Sequence, residues 1–293
     1  MKKKIRRILR RLCGFIPGLN KRIIVYVDGG ICSQIKQYVA GKLFEEKGYN
    51  VVYDLAFYDE WGMDIDGRFV RNFDLLKLFP DIEVKKASRF QRMVWKKCFR
   101  EPNVDLEAMQ TSKKTIAPCY VTGYYPLPNE DYRRLKSFLG EMSFDSKYKE
   151  IIENEMFSCG VHVRRGDLSK GNGYYGNPAT IKYFVNSIRL IASEYPNTKF
   201  FIFSDEMDYV YKELLPNLQN VDCVCVEGNG SDKGYVDLAL LSLCNFQISS
   251  IGSFGKFAAL LNANDTQGLV LMNTPESIVW VDRYRDKKWI VDL

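Results

Sequence analysis

The sequence places two arginines and an aspartate directly after an apolar segment, where they could bind an anionic ligand. The segment CGVHV at 159–163 is followed by Arg164, Arg165 and, after one glycine, Asp167. A guanidinium group stays charged at any working pH, and its planar fork fits two phosphate oxygens at once. Alternation along a strand would put His162 and Arg164 on one face, with Arg165 near the strand exit. The same residues would also suit a structural Arg–Asp network at a domain edge, and their spacing favours neither interpretation.

A second candidate site is the loop DGGICSQ at residues 28–34, between a predicted strand and a predicted helix. Gly29 and Gly30 would let a ligand approach the backbone closely, and the amides at a helix N-terminus favour an anion or a polar sugar. Asp28 and Gln34 supply polar side chains at the two ends of the loop. The loop matches neither the Walker A pattern nor the dinucleotide fingerprint, and an ordinary tight turn is the more frequent explanation of such a sequence.

Polar residues also follow two later apolar segments. Ser204 and Asp205 come after KFFIF, where they could cap the next helix or bind a hydroxylated ligand. Asp237 opens a long apolar segment, and three serines within that segment stand where a strand ends and a helix begins, a usual place for phosphate contacts. These serines are Ser249, Ser250 and Ser253.

No metal site is predicted. The Asp64-Ile65-Asp66 sequence could hold a divalent ion that bridges a nucleotide diphosphate, but it lies in a polar loop with no apolar strand before it. The chain has a single histidine and no C-x-x-C pair among its eight cysteines, which argues against a structural zinc site.

The elements that must position these residues alternate between strand and helix. Apolar, β-branched segments predict strands at 22–27, 50–55, 119–124, 159–163, 199–203, 221–226, 246–250 and 268–272. Helical periodicity predicts helices at 34–48, 72–79, 88–99, 129–140, 178–195, 206–215, 234–244 and 252–262. Asn177 and Pro178 are predicted as the cap and first position of one of these helices. Such alternation is typical of parallel α/β sheets.

The irregular segment at 140–157 marks the expected junction of two β/α domains, residues 21–150 and residues 151–293. Two such domains suggest a cleft, with ligands at the carboxyl ends of the strands. The composition is that of a globular protein, because 46% of the residues are hydrophobic and no apolar stretch is long enough to span a bilayer.

Positive charge is concentrated at the N-terminus. Nine of the 42 basic residues lie in residues 1–22, which contain no Asp or Glu, and the other 33 stand against 36 acidic residues. The body is therefore slightly acidic, which argues against a nucleic-acid partner. In the tail, residues 1–20, apolar residues recur at helical spacing among the basic ones, at Ile5, Ile8, Leu9, Leu12 and Ile16.

This pattern predicts a basic amphipathic helix that makes peripheral contact with anionic membrane through residues 1–18. The alternative is a disordered basic leader without a partner. Arginines interrupt the apolar run, unlike in a signal peptide, and the scattered cysteines fit a reducing compartment. We therefore expect a cytoplasmic protein, peripheral on the inner face of the cytoplasmic membrane.

Three blocks in this order resemble the α-1,2-fucosyltransferases of glycosyltransferase family 11. They are GVHVRRGDL at 160–168, FIFSDE at 201–206 and DLALLSLCNFQISSIGSFGKFAALLN at 237–262. The loop at 28–34 with its following helix resembles the Gly-Gly-Leu-Gly-Asn-Gln loop of that family, and RNFDLLKLFP at 71–80 resembles a further family element.

The resemblance implies a GT-B-like α/β fold, with two Rossmann-type domains facing a cleft. It implies an acceptor-side domain at 21–150 and a domain at 151–293 that binds GDP-fucose, with no metal ion or other cofactor. Fucose would pass with inversion to a hydroxyl, O2 of galactose, of a surface glycan or of its precursor, which could be lipid-linked.

The resemblance also assigns roles to individual residues. Arg164 or Arg165 would neutralise the leaving GDP, and His162 and Asp167 would shape the motif. The donor site would further include the loop glycines with Gln34, and the polar residues that follow the later strands. These are Gly29, Gly30, Ser204, Asp205, Ser250 and Ser253. Asp28 is the first candidate for the general base, because it lies at a predicted strand end facing the expected cleft. His162 is the second, because an ordinary histidine pKa near 6.5 suits a base but the residue could equally be a structural partner of the arginines.

The sequence also departs from the family pattern. Ile31-Cys32-Ser33-Gln34 replaces Leu-Gly-Asn-Gln, Asp28 stands where a neutral amide is common, and Gly255-Lys256-Phe257 replaces a Trp-rich stretch. Two other functions therefore stay open. One is a GT-B transferase with a different linkage or sugar nucleotide, and the other is a non-catalytic, membrane-docked glycan-binding protein.

Overall fold

The chain forms two compact units, Met1–Met142 and Ser143–Leu293. The computed structural model describes residues 18–64, 69–102, 117–123, 134–166, 177–250, 252–262, 269–272 and 288–291, together with Ile8, Leu12, Phe15, Ile16, Gly67 and Leu168. The division lies before the sequence-based junction at 150–151, because the helix at Lys147–Asn154 packs within the second unit. There the hydroxyl of Tyr148 donates to the carbonyl of Cys225 at 3.3 Å and accepts the N–H of Glu227 at 3.1 Å.

The first unit is built on a parallel sheet. Its described strands are β1 (Arg22–Tyr26), β2 (Asn50–Asp54), β3 (Arg100–Pro102) and β4 (Cys119–Thr122), in the order β2-β1-β4-β3. Its described helices are α1 (Ile31–Glu46), α2 (Ala56–Glu60), α3 (Leu75–Leu78), α4 (Arg89–Cys98) and α5 (Leu135–Leu139). Because helices cover both faces of such a sheet, the middle of β1 is apolar, and Ile23, Ile24 and Val25 are fully buried.

The second unit contains six described strands in one parallel sheet. They are β5 (Ser158–Val163), β6 (Lys199–Ser204), β7 (Cys223–Cys225), β8 (Phe246–Ser249), β9 (Leu269–Met272) and β10 (Lys288–Val291). The helices are α6 (Lys147–Asn154), α7 (Ile181–Glu194), α8 (Met207–Tyr209), α9 (Gly234–Leu243) and α10 (Ser253–Leu261). A π-helical turn at Val210–Leu214 and 3-10 turns at Leu215–Asn217 and Ser231–Lys233 complete the list.

The strand order β10-β9-β8-β5-β6-β7 is that of a Rossmann domain when the strands are counted along this unit. The order reverses between β5 and β8, and ligands of such sheets bind outside the carboxyl ends of the strands at that switch point. The predicted α/β fold with two Rossmann-type domains is confirmed.

Several predicted elements have different bounds in the structure. The helix predicted at 178–195 begins at Ile181, because the Thr180 side chain accepts the N–H of Tyr183 and caps it there, so the assignment of Asn177 and Pro178 as cap and first position is wrong. The segment predicted as one helix at 206–215 is a short α-turn followed by π and 3-10 turns.

The N-terminal tail falls mostly outside the described residues. Among its described apolar side chains, Ile8, Leu12, Phe15 and Ile16 are exposed and Leu19 is half-buried. None of the helices in the described part of the chain is long and apolar enough to cross a bilayer.

Candidate active site at the switch point of the second unit

Ser250 forms hydrogen bonds with the end of β5 just after the carboxyl end of the neighbouring strand β8. The N–H of Ser250 donates to the carbonyl of His162 at 3.2 Å, and the hydroxyl of Ser250 accepts the N–H of Arg164 at 3.1 Å. Ser250 is buried, so these bonds are shielded from water. Its role in the structure is to fix where the chain leaves β5 and therefore where Arg164 begins.

The guanidinium of Arg164 lies against the first turn of α10. A Cβ atom added to Gly252 would be 2.3 Å from Nη1 of Arg164, and Gly252 has a φ of 112°, which side chains rarely adopt. Gly252 precedes Ser253, the half-buried first residue of the nine-residue helix α10. A guanidinium beside the N–H groups of a helix N-terminus favours an anion, because both carry positive charge.

The side chain of Arg165 points in a different direction from that of Arg164. Its guanidinium carbon lies 3.9 Å from the ring centroid of Tyr209, and its backbone N–H donates to Oδ1 of Asp205 at 2.8 Å. The Nε atom of Arg165 is buried and has no hydrogen-bond partner among the described residues. A buried donor without a partner costs about 1–3 kcal/mol, so an acceptor supplied by a ligand would be favourable here.

Ser204 and Asp205 hold the end of β6 against the loop that follows β5. The hydroxyl of Ser204 donates to the carbonyl of Val163 at 2.9 Å and accepts the N–H of Glu206 at 3.0 Å. Ser204 therefore stabilises a local turn and does not cap the following helix α8, whose N-cap residue is Glu206 and has no side-chain cap hydrogen bond. The carboxylate of Asp205 is exposed and positions the backbone of Arg165.

His162 is buried on the face of β5 that packs against α10, as alternation along the strand predicts. Its ring stacks on Phe254 with 5.0 Å between centroids, and Nδ1 lies 3.2 Å from the hydroxyl of Ser250. Burial, together with the nearby charge of Arg164, lowers the pKa of His162 to about 3. The imidazole is therefore neutral at neutral pH and a much weaker proton acceptor than an exposed histidine.

Ser249 faces the interior. Its side chain is fully buried, its carbonyl accepts the hydroxyl of Tyr183 at 2.9 Å, and a Cβ atom at position 255 would lie 2.2 Å from its Oγ. Gly255 therefore allows α10 to pack closely on β8. This close approach accounts for the glycine at the point where the sequence departs from the Trp-rich family pattern.

Asp237 lies in the first turn of α9, which packs beside α10 and against β5 and β6. The helices that follow β7 and β8 both begin at the carboxyl edge of the sheet, so Asp237 shares that edge with Arg164. Asn229 donates to Oδ1 of Asp237 at 2.8 Å. Burial raises the pKa of Asp237 and the bond from Asn229 lowers it in part, which leaves the pKa at about 7. Sequence analysis noted Asp237 as a polar residue at the start of an apolar segment but predicted no role for it.

In the first unit, Asp28 follows the carboxyl end of β1. Its Oδ1 accepts Nε2 of Gln37 at 2.6 Å, and its N–H donates to Oε1 of the same glutamine at 3.0 Å. Burial raises the pKa of Asp28, and the bond from Gln37 lowers it in part. A half-buried carboxylate with a raised pKa is a better proton acceptor than an exposed aspartate.

Gln34 holds the loop rather than presenting a free amide. Its Nε2 donates to the carbonyls of Gly29 and Asn72, at 3.2 and 2.8 Å, and its Oε1 accepts the N–H groups of Asp74 and Leu75, at 2.9 and 3.0 Å. These four bonds use both donors of the amide and both of its acceptor positions. Gln34 thus positions the loop.

Arg71 is a basic residue at this loop that sequence analysis did not assign. A Cβ atom on Gly30 would lie 3.4 Å from its Nη1, and Gly29, which has a φ of 73°, accepts the hydroxyl of Tyr58 at 3.1 Å. The signal that could have identified Arg71 was the resemblance of RNFDLLKLFP to a family element. The bonds of Gln34 to Asn72 and Asp74 dock that segment onto α1.

The structure therefore assembles the arginine motif with the residues that follow β6 and β8. Asp28, Gly29, Gly30 and Gln34 belong to the other unit. Asp167 and Asp66 lie outside the described residues. Among the residues described, no group of three or more His, Cys, Asp or Glu side chains could hold a metal ion.

Comparison with known protein families identifies the family of this chain. Residues 86–291 match the sequence model of Glycosyl transferase family 11, which is more than half of the chain. The chain belongs to glycosyl transferase family 11. The matched segment of this family 11 protein includes Arg164, Arg165, Asp205, Asp237 and the serines that follow β8.

Individual relatives of the family 11 protein differ in their sequence identity to it and in how much of the chain they match. An alpha-1,2-colitosyltransferase of Escherichia coli is 24% identical over 89% of this chain and 93% of its own length. A galactoside alpha-(1,2)-fucosyltransferase 2 of Rattus norvegicus is 34% identical, over 40% of this chain and 33% of its own. The chain thus matches about a third of that mammalian relative. Among solved structures, NodZ alpha-1,6-fucosyltransferase is 15% identical with a TM-score of 0.49, covering 82% of this chain and 92% of its own.

Proposed function

We propose that this family 11 protein transfers fucose from GDP-fucose to O2 of galactose in a surface glycan or its precursor. The reaction is an inverting single displacement and needs no metal ion. The relatives named above are colitosyl- and fucosyltransferases, which supports a deoxysugar donor. The assignment of the donor site rests on one observation, which is that the guanidinium of Arg164 lies beside Gly252 at the switch point of the second unit.

Positive charge at the switch point stabilises the leaving group. As the bond between fucose and the diphosphate breaks, negative charge accumulates on the phosphate oxygens. The N–H groups at the start of α10 are fixed by the helix before the reaction, so they need no reorganisation, and the guanidinium of Arg164 lies beside them. The buried Nε of Arg165 supplies a second donor that lacks a partner among the described residues.

The acceptor must lose a proton as its oxygen attacks C1 of fucose. We assign this proton to the carboxylate of Asp28, because its pKa is raised and Gln37 binds only one of its two oxygens. His162 is the weaker candidate, since its pKa is about 3 and its Nδ1 faces Ser250. Attack opposite to the departing GDP converts a β-linked donor into an α-linked product.

A second donor is favoured by one comparison. The Escherichia coli relative, which matches 89% of this chain, is a colitosyltransferase and not a fucosyltransferase. The same arginine site would accept either sugar, because it contacts the diphosphate and not the sugar ring. Parallel reactions with GDP-fucose and GDP-colitose distinguish the two donors.

The test is incubation with each donor and a glycan array, followed by linkage analysis of the product and by addition of EDTA. Arg164→Ala and Arg165→Ala should each lower kcat by about 10²–10³, or roughly 3–4 kcal/mol, whereas the exposed Arg189→Ala should not. Full activity in both arginine variants would refute the donor site. Loss of activity in EDTA would refute metal independence, and GDP binding without any transfer would favour a glycan-binding protein that is not an enzyme.

A further inference from the structure

Helix α4 exposes apolar and basic side chains together on one face. Phe90 and Met93, three residues apart on this helix, are 69% and 61% exposed. Arg89, Lys96 and Lys97 are also exposed and surround them on the same side. We call these five residues the basic–apolar face.

The opposite side of α4 is firmly anchored in the first unit. Trp95 is buried in a cluster with Ile24 and Tyr120. At its start the helix is fixed by a capping box between Ser88 and Gln91. The outward direction of Phe90 and Met93 therefore follows from how the helix packs, and not from a loose helix end.

Positive charge predominates in the segment of chain that carries the basic–apolar face, although Oε1 of the exposed Glu60 lies 3.6 Å from Nη1 of Arg92. Residues 83–100 contain seven Lys and Arg and a single acidic residue, Glu83. Arg92 turns inward, where Nη1 lies 3.4 Å from Oδ1 of the buried Asp54. The remaining basic side chains of this helix are directed outward, although the protein body as a whole is slightly acidic.

The N-terminal tail joins the first unit beside this helix. Leu19 packs against the cluster that contains Trp95, and Nε1 of Trp95 donates to the carbonyl of Arg22 at 3.5 Å. Just before Leu19, the side chains of Phe15 and Ile16 are exposed. Residues 1–22 add nine basic residues and no acidic ones. The N-terminal residues thus share with α4 the combination of positive charge and exposed apolar side chains.

We propose that the basic–apolar face of α4 binds an anionic lipid membrane, such as the inner face of the cytoplasmic membrane, and that the positive charge of residues 1–22 adds to this attraction. Lys and Arg side chains attract anionic headgroups, and aromatic and aliphatic side chains enter the boundary between headgroups and acyl chains. A nucleic acid would satisfy the charges but would leave Phe90, Met93 and Phe15 in contact with water. The proposal does not depend on which sugar is transferred.

The experiment is flotation of the full-length protein with vesicles of phosphatidylcholine alone, or mixed three to one with phosphatidylglycerol. Binding should require phosphatidylglycerol and weaken with salt. Phe90→Ser with Met93→Ser should weaken binding about tenfold, and Lys96→Gln with Lys97→Gln about thirtyfold. The controls are Met156→Ser, at a side chain that is 83% exposed in the second unit, and Lys182→Gln with Lys212→Gln, which should bind like the wild type.

Three results would overturn the proposal. The first is equal binding to both kinds of vesicle. The second is unchanged binding by both α4 variants, which would leave the tail as the membrane contact. The third is tight binding to duplex nucleic acid together with no binding to either vesicle. Because all these substitutions are at exposed positions, circular dichroism should show an unchanged fold in each variant.

Discussion

Replacing Gly252 by alanine tests whether the position of Arg164, rather than its charge alone, makes the site active. The added Cβ would lie 2.3 Å from Nη1 of Arg164, at least about 1 Å closer than ordinary contact. The guanidinium is the end of a flexible side chain, so it can move aside at little cost in stability. The backbone cannot adapt in this way, because a φ of 112° with a ψ of −179° is a region used almost only by glycine.

The backbone strain at position 252 and the displacement of Arg164 affect different measurements. The backbone strain should lower the free energy of unfolding by about 1–3 kcal/mol. Displacing Arg164 by about 1 Å should lower kcat by about 10²-fold, since a misplacement of that size is enough to lose the geometry of the transition state. Gly252→Ala should add little to Arg164→Ala, because both substitutions remove the same contact.

The matched control is Gly228→Ala. Gly228 also has a positive φ, of 91°, but nothing lies within 4 Å of a Cβ atom placed there. This variant should lose stability by a similar amount and keep its kcat. The assay combines urea unfolding with initial rates at saturating GDP-fucose. A folded Gly252→Ala variant with wild-type kcat would refute the reasoning, as would an equal loss of kcat in Gly228→Ala.

Three further predictions concern titratable groups. Asp28→Asn should lower kcat by about 10²–10⁴ while leaving GDP affinity unchanged, and a wild-type rate would exclude Asp28 as the base. His162 has a folded pKa of about 3 against an ordinary 6.5, so the unfolded chain binds the extra proton and stability should fall as the pH drops below about 6.5. His162→Gln should show a shallower fall in urea unfolding between pH 7 and pH 5, and an identical slope would contradict the burial argument. Asp237 has a folded pKa of about 7, so the folded protein keeps a proton that the unfolded chain releases, and stability should fall as the pH rises from about 4 to 7. Asp237→Asn, which can still accept from Asn229, should remove this fall, and its persistence would assign it to another group.

The architecture could be predicted from the apolar pattern along the chain. Strands of a parallel sheet are covered on both faces, so they read as continuous apolar segments, and the helices between them read as amphipathic. For the same reason the apolar pattern alone was enough to place the arginine motif at the exit of the strand at 159–163. The family followed from a resemblance of ordered blocks, which the match over residues 86–291 confirms.

The roles of the polar side chains at the sites, in contrast, depend on tertiary packing. Gln34 and Ser250 look like ligand-binding residues in the sequence, yet Gln34 is bonded to Asp74 and Ser250 to Arg164, far away along the chain. The two arginines are adjacent in sequence, but one lies against Gly252 and the other over Tyr209. Local patterns reveal which segments are buried, because burial follows periodicity along the chain. They do not reveal which distant partner satisfies a given hydrogen bond, and that depends on how the strands and helices pack together.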